Sequence, residues 1–154
     1  MPRILFVCMG NICRSPTAEA VFRAKVADAG AAARFDIDSA GTIGYHTGNR
    51  ADPRMRDHAS RRGYNLTSIA RQVEAADFDA FDLIVAMDRE NLSDLTAQCP
   101  EELQSKLRLM MDFVPDMAGT DVPDPYYGGP AGFERVLDLI EQAADGLLSE
   151  QLSA

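Results

Sequence analysis

The chain reads as an α/β protein, a parallel sheet wrapped on both faces by helices. Three observations predict this class. Short apolar runs of strand length alternate with segments whose apolar residues recur at helical spacing, the pattern that builds parallel strands joined by crossover helices. One run, Phe81 to Met87, is apolar almost throughout around Asp82, as a strand buried on both faces must be. A short loop, Cys8 to Ser15, lies between the first strand and the first helix, where sheets of this kind bind ligands.

Taken in order, Arg3 to Val7 carries the first strand through Ile4-Leu5-Phe6-Val7. After the loop, Ser15 suits an N-cap and Pro16 the first helical position. Ala18, Val21, Phe22, Val26 and Ala29 follow at helical spacing, and Gly30 is a natural stop. Phe35 to Ser39 alternates apolar and polar residues as a second strand, leading into turns at Gly41, Gly44 and Gly48. Asp52-Pro53 opens a second helix that runs to about Arg62 and closes on Gly63. Leu66 to Val73 matches neither period. The Phe81 to Met87 strand precedes a helix over Arg89 to Gln98, stopped by Pro100, and Leu107 to Met110 forms a short fourth strand. Met111 to Gly132 is rich in Pro, Gly and Asp and reads as a long functional loop. Phe133, Val136, Leu137, Ile140, Ala144, Leu147 and Leu148 share one face of a closing helix.

A chain of 154 residues fits a single domain, 1–154, able to bury its core without disulfide or metal staples. No stretch approaches the ~20 apolar residues of a membrane span, and no signal-like segment precedes the first strand, so a cytoplasmic protein is expected. Three cysteines suit reduced thiols better than a disulfide scaffold. A net charge of -9, with no basic stretch interleaved with aromatics, argues against nucleic acid and membrane partners. His46 and His58 stand apart from any metal-like cysteine spacing and read as a turn residue and a helix-surface residue. Neither a metal nor a cofactor is expected.

Chemistry concentrates in Cys8-Met9-Gly10-Asn11-Ile12-Cys13-Arg14-Ser15-Pro16. A cysteine and an arginine with five residues between them are weak evidence, because a chain of this composition meets that spacing by chance about 0.25 times. Position adds weight: loop amides and a helix N-terminus make an anion site, and Gly10 lets the backbone approach the ligand. Thiolate is the nucleophilic form of cysteine, and a helix N-terminus and a neighbouring cation both favour it at Cys8. Arg14 offers a planar fork for two phosphoryl oxygens. The Ser15 hydroxyl can donate to the thiolate, and Asn11 can bond the loop's own backbone and tolerate a strained φ.

This stretch resembles the signature loop of the low-molecular-weight protein tyrosine phosphatases. Asp38-Ser39-Ala40-Gly41-Thr42, Ala51-Asp52-Pro53-Arg54, Ala70-Arg71-Gln72, Ala86-Met87-Asp88 and Asp124-Pro125-Tyr126-Tyr127-Gly128 resemble family segments in the same order. The resemblance implies a flavodoxin-like, four-stranded parallel sheet of order 2-1-3-4 with the phosphate-binding loop after the first strand. It implies that Cys8 attacks phosphorus to give a phosphocysteine. Arg14 and the amides of Met9, Gly10, Asn11, Ile12 and Cys13 would hold the phosphoryl oxygens, with Ser15, Asn11 and Ser39 supporting the loop. Asp124 would be the general acid and then the base. Tyr45, Tyr126 and Tyr127 would form an aromatic rim that favours phosphotyrosine, in a substrate protein or a bacterial tyrosine kinase.

One departure stands out: many eukaryotic members carry a histidine before Ala-Arg-Gln, where this chain has Thr67-Ser68-Ile69. Cys13 resembles the family's redox-sensitive neighbour of the nucleophile, and loop packing explains it equally well. The same loop also serves arsenate reductases, which need further cysteines to relay oxidation, and only Cys99 lies outside it. A non-catalytic phosphate-binding module is the third reading, although binding alone needs neither Cys8 nor Asp124.

Overall fold

Alternation along the strands decides what each layer contains. The computed structural model describes residues 1–126 and 128–153. Its strands β1 (Arg3–Cys8), β2 (Asp36–Gly41), β3 (Leu83–Ala86) and β4 (Leu107–Leu109) form one 4-stranded parallel sheet in the order β2-β1-β3-β4, as the resemblance implied. Helices α1 (Arg14–Asp28), α2 (Pro53–Ser60), α3 (Ala75–Ala80), α4 (Arg89–Gln98) and α5 (Pro130–Ser153) cover it. Successive side chains of a strand point to opposite faces. Ile4 and Phe6 therefore pack with Val21 and Phe22 of α1 and Val136 and Ile140 of α5. Leu5 and Val7 pack on the other face with Phe78 of α3 and Leu95 of α4.

The order of strands also locates the site. β1 is central, and the chain leaves it for β2 on one side and later returns to β3 on the other. Its C-terminal end is the switch point beyond which such sheets hold ligands. That end is Cys8.

Several boundaries differ from expectation. α1 starts at Arg14, with no side-chain cap at its N-terminus, so Ser15 is not the N-cap; its hydroxyl is engaged inside the loop instead. Helix α3 was not anticipated: only Phe78 carries its apolar burial strongly, while the Asp77 carboxylate holds its start by accepting from the Glu74 N–H at 2.7 Å. Residues 66–73 make isolated bridges, Gly41 with Gln72 and Arg50 with Ile69, rather than a regular element. The long loop contains 3-10 turns at Met110–Phe113 and Pro115–Met117, and α5 begins before its apolar face, at Pro130. Within α5, Gly146 sits against the 110–113 turn so closely that a Cβ there would lie 2.0 Å from the Phe113 carbonyl oxygen. No helix among the described residues is long and apolar enough to cross a membrane.

Candidate active site

The loop after β1 is held by its own polar groups. Asn11 adopts φ +58°, the left-handed conformation that asparagine tolerates better than most residues. Its amide N–H donates to the Cys8 sulfur at 3.3 Å, and the Ser15 hydroxyl lies 3.0 Å from the same atom. The Asn11 Nδ2 donates to Ser15 Oγ at 2.8 Å and to Ser39 Oγ at 3.1 Å. Its Oδ1 accepts from the Arg71 backbone N–H at 3.0 Å. Ser39 reaches it because the β1–β2 register pairs Ser39 with Phe6, on the α1 side of the sheet. Behind it, the Ser39 hydroxyl donates to Glu19 at 2.7 Å, and Arg23 donates to the other Glu19 oxygen at 3.1 Å. The network behind Asn11 therefore runs through Ser39, Glu19 and the Arg71 backbone.

The end of β2 presses on the loop. Thr42 N–H donates to the Cys8 carbonyl at 2.9 Å and Ile43 N–H to that of Met9 at 3.1 Å. At Gly41 a Cβ would stand 2.7 Å from the Met9 carbonyl oxygen, so only glycine fits this approach.

Arg14 is 3% exposed. Its Nη1 donates to Asp88 at 2.5 Å and to the Val122 carbonyl at 3.0 Å, and its Nη2 stands 3.7 Å from the Asp124 carboxylate. Asp88 also caps α4 by accepting from the Asn91 N–H at 2.7 Å. Burial opposes the charge of Arg14, but the Cys8 sulfur and the two carboxylates outweigh it and hold the guanidinium above its ordinary pKa. The fork is thus fixed and charged before any ligand arrives.

Asp124 approaches from the far side. The segment before it is pinned by Val122 N–H donating to the Met87 carbonyl at 2.9 Å, and Asp124 accepts from the Tyr126 N–H at 3.0 Å. Arg54 then ties this segment to the loop. It donates to the Tyr126 carbonyl at 3.0 Å while Asp52 holds it at 3.0–3.2 Å. The Asp52 N–H in turn donates to the Ile12 carbonyl at 2.8 Å. The Arg54 guanidinium also lies 5.4 Å from the centroid of the Tyr126 ring.

Cys8, Met9, Gly10, Ile12, Cys13, Arg14, Tyr45, Asp124 and Tyr126 line one cavity of about 290 Å³. Asn11, Ser15 and Ser39 stand behind it. Tyr45 is 83% exposed, its ring set edge-on to His46 at 4.8 Å. Tyr127, which the resemblance places on the rim, lies outside the described residues.

Sequence reasoning missed several of these groups. Glu19 carries no signal beyond its residue type until the fold brings it to the loop, and Asp88 and Arg54, although they lie in segments that resemble the family, carry no sign of their role before that. His46, read as a turn residue, lines the pocket together with Ile43. His58, read as a surface residue, is buried against Phe133 with rings 5.3 Å apart, and its Nδ1 meets Glu134 at 2.5 Å. Cys13 is a buried thiol whose pKa is raised far beyond the usual range, first by burial and then by the Asp52 carboxylate. Cys99 is buried in the core on the opposite face of the sheet, away from any relay with Cys8.

Comparison with known proteins gives a consistent answer. The family model described as low molecular weight phosphotyrosine protein phosphatase matches residues 3–154. A low molecular weight protein-tyrosine-phosphatase of Streptomyces coelicolor is 49% identical over 150 residues, covering 96% of this chain and 92% of its own. A crystal structure of a protein tyrosine phosphatase from Entamoeba histolytica, with Hepes in its active site, superposes with a TM-score of 0.96 at 45% identity, covering 99% of this chain and 98% of that one. The structure of YfkJ from Bacillus subtilis gives a TM-score of 0.93 at 40% identity, covering 99% and 96%. Sheet order, loop and relatives agree, and the chain belongs to the low molecular weight phosphotyrosine protein phosphatases.

Proposed function

We propose that this phosphatase works through Cys8 as nucleophile, Arg14 as the group that binds the phosphoryl oxygens, and Asp124 as general acid and base. The observation that carries the assignment is the convergence of these three side chains on one pocket at the C-terminal end of β1. In the first step the Cys8 thiolate forms an S–P bond as the P–O bond to the tyrosyl oxygen breaks. Asp124 gives its proton to that oxygen, so a neutral phenol leaves. In the second step water attacks phosphorus, the Asp124 carboxylate takes its proton, and the S–P bond breaks to return the thiolate and release phosphate. Charge spreads over the equatorial oxygens in both transition states, where the loop amides and the Arg14 fork are already placed. The Ser15 hydroxyl and Asn11 amide support the sulfur as attacking and as leaving group.

Tyr45 and Tyr126 flank the mouth, and Tyr127 is assigned with them from the sequence. Aromatic walls at this depth favour the long, flat phosphotyrosine over phosphoserine. Phosphotyrosine proteins are the substrate class. A bacterial tyrosine kinase is the first candidate among them, a reading supported by the bacterial relatives, and the cytoplasm is its natural compartment. The test is phosphate release from a small aryl phosphate in the presence of chelator. It should be lost in Cys8→Ser protein, and full activity of that variant would overturn the assignment.

A further inference from the structure

The pocket continues beyond its mouth. A second hollow of about 300 Å³ shares Ile12, His46 and Tyr126 with it, and a third of about 350 Å³ shares Arg50, Pro53 and Arg56 with the second. Together they make a track that leads away from the phosphate site past two arginines. Arg50 is exposed, and Arg56 is half-buried with its Nε donating to the Ala51 carbonyl at 2.9 Å. Among the described residues neither makes an ion pair with a carboxylate. The two acids along the track are already engaged: Asp52 is held by Arg54 at 3.0 Å and Asp57 by Arg61 at 2.6 Å. The track therefore carries two uncompensated positive charges in a chain whose net charge is -9.

A peptide whose phosphotyrosine enters the pocket must pass this mouth, and an extended chain advances ~3.3 Å per residue. A chain that runs from the mouth along the track would set its next few side chains against His46, Asn49 and Arg50. A guanidinium presents forked N–H donors that match a carboxylate. We infer that the track from His46 to Arg56 binds acidic side chains that flank the phosphotyrosine in the substrate chain, on the side that runs toward Arg50. The inference rests on the phosphotyrosine reading of the pocket and adds a sequence preference to it.

The experiment compares kcat/KM for a small aryl phosphate and three sets of phosphotyrosine peptides. One set has alanine neighbours, one has glutamates placed only before the phosphotyrosine, and one has them only after it. The wild-type enzyme should favour one acidic set over the alanine set by roughly three- to tenfold, the size that exposed ion pairs allow, and added salt should shrink the difference. Arg50→Ala combined with Arg56→Gln should abolish the preference while aryl phosphate turnover stays within about twofold, which also shows that the protein has folded. Arg50→Glu should turn the preference toward lysine-flanked peptides. Equal rates for all peptide sets in the wild type, or a preference that survives the double substitution, would overturn the inference. Loss of wild-type activity on the aryl phosphate would instead overturn the phosphatase assignment itself.

Discussion

The Ser15 hydroxyl lies 3.0 Å from the Cys8 sulfur and also accepts from Asn11 Nδ2 at 2.8 Å. With Asn11 donating into its oxygen, the Ser15 proton has two acceptors, the Cys8 sulfur at 3.0 Å and the Ala40 carbonyl at 3.4 Å, and a thiolate is the nearer and the charged one. A hydrogen bond to a charged group contributes about 1.5–3 kcal/mol. Ser15→Ala should therefore lower kcat by roughly 10- to 100-fold. The sulfur is a leaving group in the second step, so acid quench should trap more phosphoenzyme than in the wild type. A variant with unchanged kcat would remove Ser15 from the mechanism.

Asp124 stands 3.7 Å from the Arg14 guanidinium at the pocket's edge. A general acid matters most when the departing oxygen needs its proton most. Asp124→Ala should lower kcat by roughly 10²–10⁴ on phenyl phosphate and less on an activated nitrophenyl ester. Equal losses on both esters would show that Asp124 acts in some other way.

These two side chains also mark what was legible in the sequence. The loop could be placed because its chemistry is local: a strand, a short turn and a helix are adjacent in the chain, and Cys8, Asn11, Arg14 and Ser15 all belong to them. Asp124 is one of 16 aspartates, and only the resemblance of Asp-Pro-Tyr-Tyr singled it out. The roles of Asp88 and Glu19 are hidden for a related reason. Asp88 caps α4 with one oxygen, and its second oxygen reaches Arg14 only because β3 lies beside β1. Glu19 belongs to none of the segments that resemble the family, and the β1–β2 register makes it the support for Ser39. Helix α3 escaped because 6 residues are too few to display a period.

Arg54 links two segments that must stay in register, since it donates to the Tyr126 carbonyl while Asp52 ties it to the loop at Ile12. Its loss should loosen the segment that carries Asp124 and leave the phosphate site standing. Arg54→Met is expected to lower kcat on phenyl phosphate by roughly three- to tenfold and to change inhibition by inorganic phosphate by less than about twofold. A large change in phosphate inhibition would mean that Arg54 contacts the anion rather than positioning the acid.

Cys13 gives the protein a pH-dependent stability. Burial and the Asp52 carboxylate keep its proton on in the folded state far above the pH at which an unfolded cysteine ionises, about 8.5. Above that pH the folded state binds more protons than the unfolded one, so this contribution is complete below about pH 8.5 and declines as pH rises. The slope approaches about 1.4 kcal/mol per pH unit for one proton. Urea unfolding between pH 8.5 and 10 should show a shallower decline for Cys13→Ala than for the wild type. Tyr64, pushed up to about 12 by burial and by Glu141, adds its own decline only above that window. Parallel curves for the two proteins would contradict the assignment.

Gly146 tests the packing that closes the fold. In an exposed helix, replacing glycine by alanine stabilises by about 1 kcal/mol through the backbone entropy it removes. Here the new Cβ would lie 2.0 Å from the Phe113 carbonyl oxygen and 3.0 Å from its carbon, both backbone atoms that cannot rotate away. α5 would have to lift from the Met110–Phe113 turn, and overpacking of this kind costs roughly 1–3 kcal/mol beyond the entropy regained. Gly146→Ala should therefore unfold several degrees below the wild type. Gly132 provides the control, because it lies in the first turn of the same helix and a Cβ there would only meet Pro125 at 3.8 Å, an ordinary contact. Gly132→Ala should match or slightly exceed wild-type stability in the same thermal melts. If the two variants melt together, the close approach of α5 to Phe113 does not determine the stability of this helix.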